Sequence, residues 1–140
     1  MTQRSVPVIV GPTCSGKTHL SLLLANRFDA EIISADSRQI YKYMNIGTAK
    51  PIPEELSKIK HHFIDLFPPD ADYNAGLFGE QGRTVIAEIF SRGRLPIVVG
   101  GSGLYIRSLI DGLFDGPHTD PEYRDSLYKR VELEGVSPLL

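Results

Sequence analysis

The 140-residue chain has one cysteine, Cys14, and no tryptophan. A single thiol excludes an internal disulfide framework, so the fold is expected to stand on its hydrophobic core. No apolar run approaches the ~20 residues that a membrane helix requires. The longest, residues 6–10 and 95–99, are strand-sized. Met1-Thr2-Gln3-Arg4-Ser5 has neither an apolar h-region nor a small-residue cleavage site, so no secretory signal is expected and the chain reads as cytoplasmic. Neither charge sign dominates: 15 Lys and Arg against 17 Asp and Glu leave a formal net charge of −2. A generally basic surface is therefore absent, and binding to RNA would have to rest on a local basic stripe.

What is present is an ordinary globular composition, 41% hydrophobic and 23% charged, at a length that suits one domain. Apolar strands and amphipathic helices alternate. Residues 6–10 predict a strand buried on both faces. A helix follows over about 17–28, with Leu20, Leu23, Leu24 and Phe28 as its apolar face. Residues 31–34 predict a second strand, and Gly47, Pro51 and Pro53 make 45–53 a loop. A short helix is expected from Glu54, a third strand over 61–65 and a longer helix over about 75–92, with Val85, Ile86, Ile89 and Phe90 as its stripe. Residues 95–99 predict the fourth strand. Beyond Gly103 a helix would bury Ile106, Leu109, Ile110 and Leu113. A turn-rich connector over 115–121 leads to a polar helix over about 122–134. The whole chain, 1–140, reads as one core, with an α/β part over about 1–115 and the start of a helical extension over about 116–140.

This order implies an α/β domain with a parallel sheet flanked by helices. Ligands of such sheets sit beyond the carboxyl ends of the strands. Three segments fall there, residues 11–18, 35–39 and 100–103, and they are expected to converge on one site.

The first is Gly11-Pro12-Thr13-Cys14-Ser15-Gly16-Lys17-Thr18, a full G-x-x-x-x-G-K-[ST] phosphate loop between a predicted strand and a predicted helix. Its backbone N–H groups form an anion nest, and the helix N-terminus adds roughly half a positive charge. Lys17 is expected to reach the terminal phosphates, and Thr18 to hold Mg²⁺ or bond a bridging oxygen. Cys14 needs only to be small there, with a redox role as the lesser alternative. The second segment contributes Asp36, placed to act as a general base, to bind Mg²⁺ through water, or to cap a short helix with Ser37. Asp65 also ends a strand and is the weaker candidate. No acidic residue follows Val98-Val99 and no Asn-Lys-x-Asp stretch occurs, which disfavours motor ATPases and GTPases. His61 and His62 are adjacent, point to opposite strand faces and make poor joint metal ligands.

Five ordered blocks resemble the tRNA dimethylallyltransferases (tRNA isopentenyltransferases). These are the phosphate loop, Ser34-Ala35-Asp36-Ser37-Arg38-Gln39-Ile40-Tyr41, Ile46-Gly47-Thr48-Ala49-Lys50-Pro51, His61-His62-Phe63-Ile64-Asp65 and Val99-Gly100-Gly101-Ser102-Gly103-Leu104-Tyr105. The resemblance covers about residues 6–130. It implies a P-loop NTPase-like fold and transfer of a dimethylallyl group from dimethylallyl diphosphate to N6 of the adenosine 3′ of the anticodon in tRNA, with Mg²⁺ assisting.

On this resemblance Asp36 matches the general base, and Lys17 and Thr18 match the groups that stabilise the departing diphosphate. Asp36, Ser37, Arg38, Gln39, Ser102 and Arg124 match positions that contact the tRNA. Ser102 stands where threonine is usual. The partners implied are the tRNA anticodon stem-loop and dimethylallyl diphosphate, with no membrane, for a monomeric enzyme. Members are commonly about twice this length, and the rest of their chain supplies helices and basic residues around the anticodon stem and the diphosphate. Two alternatives remain at this level: a P-loop small-molecule kinase with Asp36 as base toward a hydroxyl, and a non-catalytic module that binds ATP or another nucleotide. Tyr41, Tyr43 and Tyr105 are open between stacking on RNA and packing in the core or a groove.

Overall fold

The computed structural model describes residues 4–113 and 120–139. Four strands, β1 (Val8–Val10), β2 (Ala30–Ser34), β3 (His61–His62) and β4 (Leu95–Gly100), form one all-parallel sheet in the order β1-β4-β2-β3. Helices α1 (Lys17–Phe28), α2 (Pro53–Lys58), α3 (Ala75–Ser91), α4 (Gly103–Asp111) and α5 (Pro121–Glu134) complete the described chain, with a short 3-10 turn over Ser137–Leu139. No helix of the described residues is long and apolar enough to cross a membrane.

Both faces of β2 and β4 are covered, and this is why those strands read as continuous apolar runs. Successive side chains of a strand point to opposite faces. Ile32, Ile97 and Val99 pack with Ala25 under α1. Ile33 and Val98 pack with Phe78, Ile89, Tyr105 and Leu109 under α3 and α4. Phe78 is the hub of the second core: it meets Phe63 edge-on at 5.0 Å and stacks on Tyr105 at 4.7 Å between ring centroids.

The element order matches the expectation, and five details differ. The third strand holds two residues, not five. Phe63 and Asp65 take left-handed backbone conformations, φ 63° and 53°, which turn the chain out of the sheet and drop Phe63 into the core. The apolar face assigned to α1 is largely wrong: Leu20, Leu23 and Phe28 are exposed, and Ser21 and Ala25 form the buried line, with Leu22 and Leu24 beside it. Two small residues let α1 lie close to the sheet. The first strand, expected over 6–10 and buried on both faces, is Val8–Val10 at the sheet edge with Val8 and Val10 exposed, because among the described residues no further strand or helix covers that side.

The face assigned to α4 is displaced in the same way. Ile110 and Leu113 are exposed, while Tyr105, Ser108 and Leu109 are buried. The helix pair α3–α4 sets this face: a Cβ on Gly79 would collide with Ser108, and Arg83 Nη1 donates to the Ser108 carbonyl at 2.9 Å. Finally, residues 37–40 after Asp36 form a turn, not a short helix. Most of the expected 115–121 connector lies outside the described residues.

At the amino ends of the strands sits a buried carboxylate. Glu31 of β2 is 1% exposed and accepts from Arg92 Nη2 at 2.9 Å, Arg92 Nε at 3.2 Å and Arg94 Nη1 at 3.4 Å, with His62 Nε2 at 2.6 Å. Burial alone would raise its pKa. The hydrogen bonds from Arg92 and His62 and the charge of Lys60 outweigh burial and hold it at about 2, below the usual 4.5. A carboxyl lowered in this way stabilises the fold above pH 4.5, and that contribution is lost as the pH falls toward 2. Glu31→Gln is expected to cost about 3 kcal/mol in urea unfolding at neutral pH. The variant should also lose less stability than the wild type between pH 4.5 and 2, and equal acid sensitivity would contradict the assignment.

Candidate functional site

Helix α1 starts without a cap. Its N-cap is Gly16, at φ 84°, with no side-chain acceptor and no acidic residue in the first turn. The contrast within the molecule is direct: Asn74 Oδ1 accepts from Leu77 N at α3, and Asp120 Oδ1 accepts from Tyr123 N at α5, each at 3.0 Å. An uncapped start leaves orphan N–H groups and the positive end of the helix dipole to an external anion. The preceding loop turns at Cys14, φ 64°, and closes with Ser15 N donating to the Pro12 carbonyl at 3.3 Å. Lys17 Nζ also donates to that carbonyl, at 2.6 Å, so its ammonium lies over the loop. The Cys14 thiol is exposed.

This loop opens into a cleft of about 910 Å³. Every residue from Gly11 to Thr18 lines it, together with Asp36, Ser37, Arg38, Gln39, Gly100, Gly101 and Ser102. The three segments expected at the carboxyl ends of the strands thus meet in one cavity. Arg124 does not join them: it is exposed on α5, with its guanidinium 5.7 Å from the Tyr128 ring centroid.

The Asp36 turn is gripped from the 99–102 segment. Ala35 N donates to the Val99 carbonyl at 2.7 Å, Ser102 N to the Ala35 carbonyl at 3.2 Å, and Ser37 N to Ser102 Oγ at 2.9 Å. Gly100 passes so close that a Cβ there would collide with the Ala35 carbonyl. Asp36 Oδ1 accepts from Arg38 N at 2.9 Å, and Oδ2 has no protein partner among the described residues. The carboxylate therefore caps its turn with one oxygen and leaves the other to the cleft. Because Ser102 Oγ is committed to Ser37, α4 also begins without a side-chain cap.

The opposite wall was less legible in the sequence. Gln39 is used at both ends: Ser34 Oγ donates to its Oε1 at 2.8 Å, and its Nε2 donates to the carbonyls of Thr48 and Ala49 at 3.1 and 3.0 Å. Lys50, with a side chain 6% exposed, donates to Asp65 Oδ1 and the Tyr41 carbonyl, both at 2.6 Å, and to Asn45 Oδ1 at 3.2 Å. Asp65 is thereby a structural counter-ion outside the cleft lining. Thr48 Oγ1 donates to the Met44 carbonyl at 2.6 Å.

His62 serves Glu31, and His61 lines the cleft. Burial pushes the His61 pKa down. The ring is then neutral near pH 7, and its Nδ1, 2.7 Å from the Ile59 carbonyl, carries the proton. Tyr105 belongs to the core, Tyr41 is half-buried beside it, and Tyr43 is exposed.

Among the described residues no three His, Cys, Asp or Glu side chains cluster as a metal cage. The donors that the cleft does offer are hard oxygens, the Thr18 hydroxyl and Asp36 Oδ2. This set suits Mg²⁺, which keeps several waters and takes phosphate oxygens as ligands.

The family model described as IPP transferase matches residues 39–140, and that described as isopentenyl transferase matches residues 4–72. The tRNA dimethylallyltransferase 2 of Syntrophus aciditrophicus is 49% identical over 132 residues, 94% of this chain and 42% of the relative. The tRNA dimethylallyltransferase of Thermus thermophilus is 42% identical over 136 residues, 97% of this chain and 45% of the relative. The crystal structure of the full-length tRNA isopentenylpyrophosphate transferase from Bacillus halodurans superposes with a TM-score of 0.78 at 41% identity, covering 98% of this chain and 46% of that one. A eukaryotic dimethylallyltransferase crystallised acting on tRNA gives 0.78 at 33% identity, covering 89% and 32%. The chain spans less than half the length of these relatives.

The grip on the Asp36 turn can be read without any substrate. Ser102→Ala is expected to speed hydrogen exchange of the Ser37 amide by up to about 10-fold, the worth of one hydrogen bond, while Ser102→Thr retains protection. Equal exchange in all three proteins would remove Ser102 from this role.

Proposed function

The chain belongs to the IPP transferase family, and from that premise we propose that it forms the donor-binding and proton-accepting part of a tRNA dimethylallyltransferase. The observation that carries the reading is the meeting, in one cleft, of an uncapped phosphate loop and a carboxylate with a free oxygen. The donor is dimethylallyl diphosphate, and the acceptor is N6 of the adenosine 3′ of the anticodon.

The diphosphate lies against the N–H groups of Gly11 to Thr18, with Lys17 leaving the Pro12 carbonyl to bond a phosphate oxygen. Negative charge grows on the bridging oxygen as the allylic C–O bond breaks, and fixed N–H donors aimed there stabilise that charge. Diphosphate leaves with the bonding electron pair. The N6 lone pair forms the new C–N bond to the allylic carbon, and the N6 proton passes to Asp36 Oδ2. The exocyclic amine is a weak nucleophile because its lone pair is delocalised into the ring. Holding it in line with the allylic carbon is therefore a large share of the catalysis. The adenine has to leave its stack to enter the cleft. Mg²⁺, held by the Thr18 hydroxyl, supplies further positive charge to the diphosphate when bound.

Arg38, exposed at the cleft edge, supplies charge and hydrogen bonds to the RNA. Ser37 and Gln39 shape the wall that the nucleotide meets, and Ser102 holds that wall in place. Arg124, on α5, meets the tRNA farther from the chemistry. The protein is read as a cytoplasmic monomer.

The test is transfer of radiolabelled dimethylallyl from its diphosphate to unmodified tRNA by the protein extended to the length of its relatives. Asp36→Asn should lower kcat by 10²-fold or more, the usual worth of a positioned base, with donor affinity little changed. Lys17→Ala should weaken donor binding instead. Absence of prenylated adenosine in the wild-type reaction would refute the reading. Equal loss of donor binding in both variants would refute the division of roles.

A further inference from the structure

The loop between β2 and α2 exposes four large apolar side chains, Tyr43, Met44, Ile46 and Ile52, and two of them stand almost wholly in solvent. Ile46 is 98% exposed and Tyr43 is 82% exposed. Tyr43 also sits at φ 65°, a left-handed conformation that a bulky residue adopts only at a cost and that glycine or asparagine would accept easily. Neither packing nor backbone preference accounts for a tyrosine there.

The loop is nevertheless held in place. Lys50, Thr48 and Gln39 fasten it from three directions, through Asp65 and the Tyr41 carbonyl, through the Met44 carbonyl, and through the carbonyls of Thr48 and Ala49. The residues that follow Ile46, from Gly47 to Ala49, line the same cleft as Asp36. The tip is thus a fixed apolar rim on a polar cavity. Residues 37–53 contain Arg38, Lys42 and Lys50 and no acidic residue, in a chain with 17 of them. Arg38 and Lys42 are exposed.

We propose that Tyr43 and Ile46 form a stacking platform for the unpaired bases that flank the target adenosine, with Arg38 and Lys42 taking their phosphates. This inference rests on the tRNA reading above. Single-stranded RNA loops are recognised by this combination: aromatic and apolar faces against unstacked bases, cations against the backbone. A rim that receives the bases displaced with the adenosine also keeps the loop from closing over its own gap. The solvent-exposed charges on the loop beside this tip, Arg38 and Lys42, are both positive, since Lys50 is spent on Asp65, and two free cations suit a phosphate backbone.

The test is binding of a synthetic, unmodified 17-nucleotide anticodon stem-loop followed by fluorescence anisotropy, using the protein extended to the length of its relatives. Ile46→Ser and Tyr43→Ser alter side chains that the fold leaves in solvent, and thermal melting should confirm unchanged folding. Each is expected to weaken RNA binding roughly 10-fold, the usual effect of removing one stacking contact, while affinity for dimethylallyl diphosphate stays at the wild-type value. The same stem-loop with 2-aminopurine beside the target adenosine should brighten on binding to the wild type and less so with the variants. Wild-type binding that is equally tight in both variants would overturn the platform alone, and would leave the exposed tip to a protein partner. A wild-type protein that neither binds nor prenylates the stem-loop would overturn the tRNA reading and the platform with it.

Discussion

The N-terminus of α1 is an unfinished piece of hydrogen bonding. The first turn of any helix has N–H groups without intrahelical acceptors, and the protein answers this at α3 with Asn74 and at α5 with Asp120. At α1 it supplies neither a side-chain acceptor nor an acidic residue. The loop before α1 lines the same cleft, with the Lys17 ammonium resting on the Pro12 carbonyl beside it. An isolated cluster of that kind is unfavourable, and an anion with several oxygens is its natural complement. The cleft takes its purpose from that mismatch.

The remaining architecture brings a carboxylate to this loop. Parallel pairing of β2 with β4 sets their carboxyl ends side by side, and the link from Val99 to Ser102 holds the turn that carries Asp36. Gly100 makes the approach possible because any side chain there would strike the Ala35 carbonyl. One oxygen of Asp36 is spent on its own turn, and the residue lines the cleft with the other unengaged among the described residues. At the far end of β2, Glu31 gathers Arg92, Arg94 and His62 and secures the start of the same strand. The strand that leads to Asp36 is thus fixed at both ends.

Much of this was legible in the sequence because it is written in local chemistry. The phosphate loop is a contiguous motif, and the carboxyl ends of parallel strands are where ligands collect. The apolar faces of α1 and α4 were misassigned because periodicity identifies apolar residues and not what covers them. Ser21, Ala25 and Ser108 are buried since small residues suit close contact with the sheet or with α3, whereas Leu20, Leu23 and Ile110 project past it. The third strand was overextended because Phe63 and Asp65 give no outward sign of left-handed φ. The clamp formed by Lys50 and Asp65 joins residues fifteen apart through a turn whose course depends on tertiary contacts. Gln39 could be noticed as part of a block, but not that both ends of its amide would be spent inside the protein.

The most direct test of the central claim is a backbone-amide NMR titration with inorganic diphosphate. The account requires saturable shifts concentrated on the amides of residues 11–19, with those at the capped starts of α3 and α5 unmoved. Shifts spread over the basic surface without saturation, or saturable binding centred anywhere else, would contradict it.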